Sequence, residues 1–283
     1  MTLAVTGATG HLGGLVVEHL ISRGTPADQI VALVRRPEAA ADLAAKGVVV
    51  RHFDYEQPDQ LPGALAGVDS LLLVSGNEFG RRAAQHQAVI DAAKAAGVGR
   101  IVYTSSPSAD VSINPVAPEH KATEAALAAS GVPHVILRNG WYHENYLADL
   151  ASAGRSGEIL TAAGNGRVAS AARSEYAEAA AVVLAGTEVG RTYSISGDVA
   201  WSFDDLAADL SVVLGRPVSV HRVSAEAKAE ALAGFGLDPA MVGFVVGVDA
   251  AIAAGELGFT NGQLASLIGR PTAPIIETLR AAG

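Results

Sequence analysis

Leu3-Ala4-Val5-Thr6-Gly7-Ala8-Thr9-Gly10-His11-Leu12-Gly13 is the stretch on which the reading of this chain turns. A short apolar run of β type breaks at Gly7, passes two further glycines at three-residue spacing, and enters an apolar-periodic segment through Leu15, Val16, His19 and Leu20. The pattern is strand, tight turn, helix. Gly7 lets the chain turn off the strand, Gly10 leaves no side chain in the way of an approaching diphosphate, and Gly13 lets the helix lie close on the strand. The start of the helix offers N–H groups without intrahelical partners and a partial positive charge. A glycine-rich turn alone says little, but one that follows a strand and opens a helix predicts a dinucleotide cradle.

The chain then repeats the unit. Ile30-Val31-Ala32-Leu33-Val34 is a continuous apolar run suited to a parallel strand buried on both faces, and it ends in Arg35-Arg36-Pro37. An acidic residue at that place suits a ribose 2′-hydroxyl and an arginine suits a 2′-phosphate, so Arg35, with Arg36 as second candidate, predicts NADPH. The competing reading is a solvated pair before a helix that begins at Pro37. A helix over 37–46 stops at Gly47, and a third strand over 48–53 is followed by Asp54, placed either to meet the adenine edge or to cap the short helix through 57–66. The fourth strand, 70–74, ends in Ser75-Gly76-Asn77 beside the first strand, at the topological switch point where ligands bind. Small polar residues there let the ribose and diphosphate lie against backbone. A helix over 81–96 leads to a fifth strand over 101–104 and to Ser105, read as a further cofactor contact; a loop over 108–118, a helix over 119–130 and a sixth strand over 134–138 complete the series. The unbroken alternation predicts an α/β, Rossmann-type doubly wound parallel sheet with helices on both faces.

The sixth strand opens into Asn139-Gly140-Trp141-Tyr142-His143-Glu144-Asn145-Tyr146, the most polar-aromatic stretch of an aromatic-poor chain. It is expected to wall the nicotinamide and substrate pocket with rings and amide groups, and also to pack against the C-terminal part of the chain. Beyond it, Gly164-Asn165-Gly166 predicts a hairpin within 159–169, Ser174 caps a helix over 174–184, a strand covers 191–196, and three or four Ala-rich helices surround a strand at 218–223. The expected organisation is a dinucleotide-binding domain over 1–145 and a smaller C-terminal α/β lobe over 146–283, interleaved with the core and covering the substrate.

The 283 residues are 49% hydrophobic and 5% aromatic, enough for one large α/β domain with an appended lobe. A net charge of −9 without a clustered basic patch argues against nucleic acid as partner. With no cysteine, disulfides, thiolate catalysis and iron–sulfur ligation are excluded, and the eight histidines show no metal-ligand spacing, so no metal is expected. No apolar run has membrane-spanning length and no leader is apparent, so a soluble cytoplasmic protein is expected. The oligomeric state is left open, a homo-oligomer included.

The three glycines, Arg35, Ser75-Gly76 and the run from Arg138 through Asn139, Gly140, Trp141, Tyr142, Glu144 and Asn145 to Tyr146 resemble the NmrA-like, atypical short-chain dehydrogenase/reductase group, and most of all its bacterial type 2 NAD(P)H:quinone oxidoreductases. The likeness spans essentially the whole chain, including Ala169-Ser170-Ala171-Ala172-Arg173 with Tyr176, and Leu267-Ile268-Gly269-Arg270-Pro271-Thr272. The glycine motif is common to the superfamily; the 138–146 stretch is far more specific. The resemblance implies NADPH at Gly7, Thr9, Gly10, His11, Leu12, Arg35, Ser75, Gly76, Asn77, Asn139, Gly140, Trp141 and Tyr142. It implies a quinone beside the nicotinamide, near Trp141, Asn145 and Tyr146.

One departure bears on mechanism. The wider superfamily carries Tyr-x-x-x-Lys on the helix after strand five, whereas this helix reads His120-Lys121-Ala122-Thr123-Glu124. His120 and Glu124 share a helix face, so His120 is a candidate proton donor oriented by Glu124, against the alternative of a solvated histidine. Tyr142 and Asn145 complete the catalytic candidates. A ketone that accepts hydride becomes an alkoxide and needs an acid; a quinone gives a delocalised hydroquinone anion and needs one far less. The alternatives are therefore an NADPH-dependent quinone reductase without flavin, a carbonyl reductase for bulky ketones, and an NADP(H)-sensing regulator. Arg173 either stands at the pocket mouth or pairs within the lobe.

Overall fold

The computed structural model describes residues 1–283. In chain order its first elements are β1 (Leu3–Thr6), α1 (His11–Ser22), β2 (Ile30–Val34), α2 (Ala41–Ala45), β3 (Val49–His52), α3 (Leu61–Ala64), β4 (Ser70–Leu73), α4 (Arg82–Ala95), β5 (Arg100–Ser105), α5 (Ala117–Ser130) and β6 (His134–Asn139). There follow α6 (Leu147–Ser156), β7 (Glu158–Thr161), β8 (Arg167–Val168), α7 (Arg173–Ala185), β9 (Arg191–Ile195), β10 (Trp201–Ser202), α8 (Phe203–Leu214), β11 (Ser219–Arg222), α9 (Ala225–Gly234), α10 (Pro239–Ala253), α11 (Gln263–Ile268) and α12 (Ile275–Ala282). The chain divides into two interleaved units, one of residues 1–109, 118–139 and 174–194, the other of 110–117, 140–173 and 195–283.

The first unit is built on a seven-stranded sheet of order β3-β2-β1-β4-β5-β6-β9. Strands β1 to β6 pair in parallel, with Leu3 opposite Ile30 on one side and Ser70 on the other. Every residue of β1, β2, β4 and β5 is buried, which is why these strands are continuous apolar runs and not alternating ones. On one face Leu33, Leu71, Leu73, Ile101 and Tyr103 pack with Leu61, Leu65, Val89, Ile90 and Leu127. Strand order reverses at β1 and β4, so their C-terminal ends form the crevice where such sheets bind ligands. Arg100, buried at the start of β5, ends α7 by donating to the carbonyls of Val183 at 2.8 Å and Leu184 at 2.7 Å, where the helix dipole favours a cation.

The second unit has its own core, in which Tyr146, Trp201 and Phe203 meet edge to face among Leu150, Leu206, Leu210, Ile252 and Leu279. The hairpin expected within 159–169 is not formed. Its turn is present, with Gly166 N–H donating to the Ala163 carbonyl at 2.9 Å, but β7 pairs in parallel with β11 and β8 antiparallel with β10. Asp249 of α10 takes the Ala162 N–H at 2.6 Å and pairs with Lys228 of α9, so the turn is tied to helices from far along the chain. Five helices, not three or four, follow Trp201. No helix is long and apolar enough to cross a membrane.

Candidate active site

Gly7 lies in the left-handed region at φ +58°, and Gly10 N–H donates to its carbonyl at 2.8 Å. A Cβ on Gly10 would stand 3.1 Å from that oxygen and one on Gly13 only 2.4 Å, so the turn and α1 approach as closely as glycine alone permits. Gly7, Thr9, Gly10 and His11 are exposed and Leu12 is buried, and the first N–H groups of the twelve-residue helix α1 have no side-chain cap. That is the arrangement a diphosphate fits.

At the end of β2 the Arg35 guanidinium is exposed, with a side-chain accessibility of 65%, and stands 3.5 Å from the Glu78 carboxylate, a partner that sequence reasoning did not find. Asp54 turns its carboxylate to the following turn, accepting from Glu56 N–H at 3.1 Å and from the Gln57 amide at 3.3 Å, the capping role of the two expected for it. After β4, the Ser75 and Gly76 N–H groups donate to Thr104 Oγ1 at 2.8 Å and His86 Nε2 at 3.1 Å. Asn77 is exposed.

The α5 expectations need correction. Glu124 does not orient His120; it holds Arg138 through two hydrogen bonds of 3.0 and 2.7 Å and accepts from Ser105 Oγ at 2.6 Å, which commits the Ser105 hydroxyl to the fold. His120 is buried, neither solvated nor open to a substrate, and its Nδ1 shares a 2.7 Å hydrogen bond with the Tyr103 hydroxyl. Burial and then the Arg82 charge push its pKa down to about 3, so at neutral pH it carries no acid proton to give. The i, i+4 spacing was correct, but Arg138 on β6 offers Glu124 a better partner.

Within the second unit, Gly140 N–H donates to the Ile195 carbonyl at 2.7 Å, and Tyr142 bridges to Ala171. The Arg173 guanidinium lies over the Tyr142 ring, 5.1 Å from its centroid, so Arg173 pairs within the lobe. Glu144 accepts the Arg173 N–H with both oxygens at 3.0 Å and begins α7 in place of the expected Ser174 cap. Tyr142 is half-buried and Asn145 exposed, while Asn139, in the first unit, is buried. Tyr146, expected at the substrate, is 5% exposed, with its ring in the aromatic core and its hydroxyl buried without a hydrogen-bond partner.

The NAD(P)H-binding family matches residues 7–186. The chain belongs to that family. Its NAD(P)H-binding cradle is accompanied by likeness over the full length: quinone oxidoreductase 2 of Escherichia coli is 46% identical over 98% of this chain and 97% of its own. An oxidoreductase of Aspergillus flavus with an NmrA-like family domain is 29% identical over 99% of this chain and 94% of its own. The crystal structure of the E. coli NADPH-dependent quinone oxidoreductase complexed with NADPH superposes with a TM-score of 0.96, covering 99% of both chains at 44% identity. The resemblance read from the sequence and the Rossmann-type fold stand on these likenesses.

Acid should unfold this NAD(P)H-binding protein through its buried histidines. His86 and His120 are lowered from 6.5 to about 3 and His143 to about 4, in each case chiefly by burial. Because the folded pKa lies below the unfolded one, the unfolded chain binds more protons across this window, and stability falls as pH falls from about 6.5. Each ring then costs about 2 kcal/mol at pH 5. Asp149, raised to about 6 by burial, works in the opposite sense and offsets part of this. The thermal midpoint is expected to drop by roughly 10 °C between pH 7 and pH 5. A flat calorimetric profile over that range would contradict it.

Proposed function

We propose that this chain is a cytoplasmic NADPH:quinone oxidoreductase that transfers hydride directly from the dinucleotide to the quinone, without a flavin. The observation that carries the reading is the state of α5. Where the superfamily presents a tyrosine acid, this helix presents a buried, neutral His120 bound to Tyr103, and a Glu124 committed to Arg138. His120 carries no acid proton to give at neutral pH, and the Glu124 carboxylate is taken up by Arg138 and Ser105. A ketone taking hydride would find no acid on α5 for its alkoxide, whereas a quinone spreads the charge over its ring and second oxygen and draws its proton from water. The 46% identity to the E. coli quinone oxidoreductase supports the same acceptor class.

When bound, NADPH supplies the hydride. The work of the chain is to hold and orient: the glycine turn and α1 take the diphosphate, Arg35 the 2′-phosphate, and the exposed or half-buried Trp141, Tyr142 and Asn145 the acceptor ring. Tyr146 supports this segment from the aromatic core.

The test follows NADPH oxidation by absorbance with a small naphthoquinone, an aryl ketone or no acceptor, each with and without added FMN. The naphthoquinone should turn over at a rate indifferent to FMN, and the ketone about a hundredfold more slowly or not at all. Activity that requires FMN would overturn direct transfer. Preference for the ketone would overturn the argument from α5.

A further inference from the structure

Three successive backbone N–H groups after β4 donate to side chains of three different elements. Val74 donates to Thr6 Oγ1 at the end of β1 at 2.9 Å, Ser75 to Thr104 Oγ1 in β5 at 2.8 Å, and Gly76 to His86 Nε2 in α4 at 3.1 Å. A loop built to hold an anion directs its N–H groups at the ligand. Here they are spent inside the protein. What this backbone retains for a ligand is carbonyl oxygen, which accepts from hydroxyl and amide groups and repels phosphate.

His86 holds the third of these bonds in a single protonation state. Its Nε2 accepts from Gly76 and so bears no proton, which places the proton of the neutral ring on Nδ1. Nδ1 lies 3.0 Å from Thr123 Oγ1, whose own proton goes to the Glu119 carbonyl at 2.9 Å. The relay from Gly76 through His86 and Thr123 to Glu119 leaves no group of the ring unsatisfied. The ring is 0% exposed and packs edge-on against Tyr103, with centroids 5.5 Å apart. Burial and the neighbouring Arg82 charge disfavour a second proton, which on Nε2 would set donor against donor at Gly76.

We propose that His86 is a positioning residue of the dinucleotide site: by holding the Gly76 N–H inward, it reserves the acceptors of the loop after β4 for the ribose hydroxyls of NADPH. The inference rests on the NADPH reading above. It assigns a function to a residue that touches neither acceptor nor cofactor.

The experiment compares wild type with His86→Leu and His86→Gln. In His86→Leu the NADPH dissociation constant, measured by fluorescence titration, should rise about tenfold, the effect of leaving the half-buried Gly76 donor unpaired. Its kcat for naphthoquinone at saturating NADPH should stay within about twofold. His86→Gln, whose amide can accept from Gly76 and donate to Thr123, should recover most of the affinity. In wild type, nitrogen NMR at pH 7 should show the His86 ring as the Nδ1–H tautomer, a readout that needs no variant to fold. The inference is overturned by unchanged NADPH affinity in His86→Leu, by a glutamine variant as weak as leucine, or by an Nε2–H tautomer. Failure of wild type to bind NADPH would overturn both this inference and the reading beneath it, whereas tight wild-type binding with an indifferent His86→Leu removes this inference alone.

Discussion

Gly13→Ala should destabilise the protein by about 3 kcal/mol and weaken NADPH binding about a hundredfold. The added methyl would stand 2.4 Å from the Gly7 carbonyl oxygen, 2.8 Å from its carbon and 3.0 Å from the Thr6 carbonyl oxygen. All three are backbone atoms of the strand and turn, so no side-chain rotation relieves the overlap. Relief requires α1 to move away from β1. That movement displaces the helix N-terminus, whose open N–H groups are the proposed anion site, so stability and affinity should fall together. Gly7→Ala is the informative comparison. Its methyl meets nothing within 4 Å, and its cost is confined to the backbone at φ +58°, about 1 kcal/mol. Thermal unfolding and NADPH titration of the two variants decide the matter. If Gly13→Ala were as mild as Gly7→Ala, close helix–strand approach would not be what Gly13 serves.

The parallel sheet was legible in the sequence because its central strands are buried on both faces and therefore carry apolar runs, as in Ile30–Val34 and Leu71–Leu73. The pairing of β7 and β8 was not. Gly164 and Gly166 shape a genuine turn, but β11, from Ser219–Arg222, is β7's partner and β10 is β8's, and local turn chemistry carries no information about partners that distant. The cradle glycines and Arg35 could be proposed from sequence because their chemistry is tied to a position at a strand end. His86 did not, since between Gln85 and Gln87 it reads as an ordinary residue of α4; its role comes from Gly76 and Thr123, which the fold brings to opposite sides of its ring. Within the 139–146 stretch, sequence could not divide the aromatics. Tyr142 faces Arg173 and Tyr146 faces Trp201, and only the path of the chain into α6 separates them.

Arg35→Ser should raise the NADPH dissociation constant between about tenfold and a hundredfold, leave NADH binding unchanged, and leave the thermal midpoint unchanged. The first effect follows from the loss of a charge-assisted hydrogen bond to the 2′-phosphate, worth about 1.5–3 kcal/mol. The second follows because NADH offers nothing for that charge to meet. The third follows from the exposure of Arg35 and its 3.5 Å separation from Glu78, an ion pair of the kind that contributes about 0–1 kcal/mol. Glu78 sharpens the test. If Arg35 takes the 2′-phosphate as proposed, the Glu78 carboxylate competes for the same guanidinium, and it is held in place by Gln85, whose amide donates to it at 2.9 Å. Glu78→Gln should therefore tighten NADPH binding a few-fold while leaving NADH alone, the opposite sign from Arg35→Ser. Arg36, also exposed, is the control: Arg36→Ser should change the NADPH-to-NADH preference less than Arg35→Ser. A larger effect at Arg36 would transfer the selector role one residue along, and equal losses for both cofactors at Arg35 would show that its charge acts on the diphosphate they share.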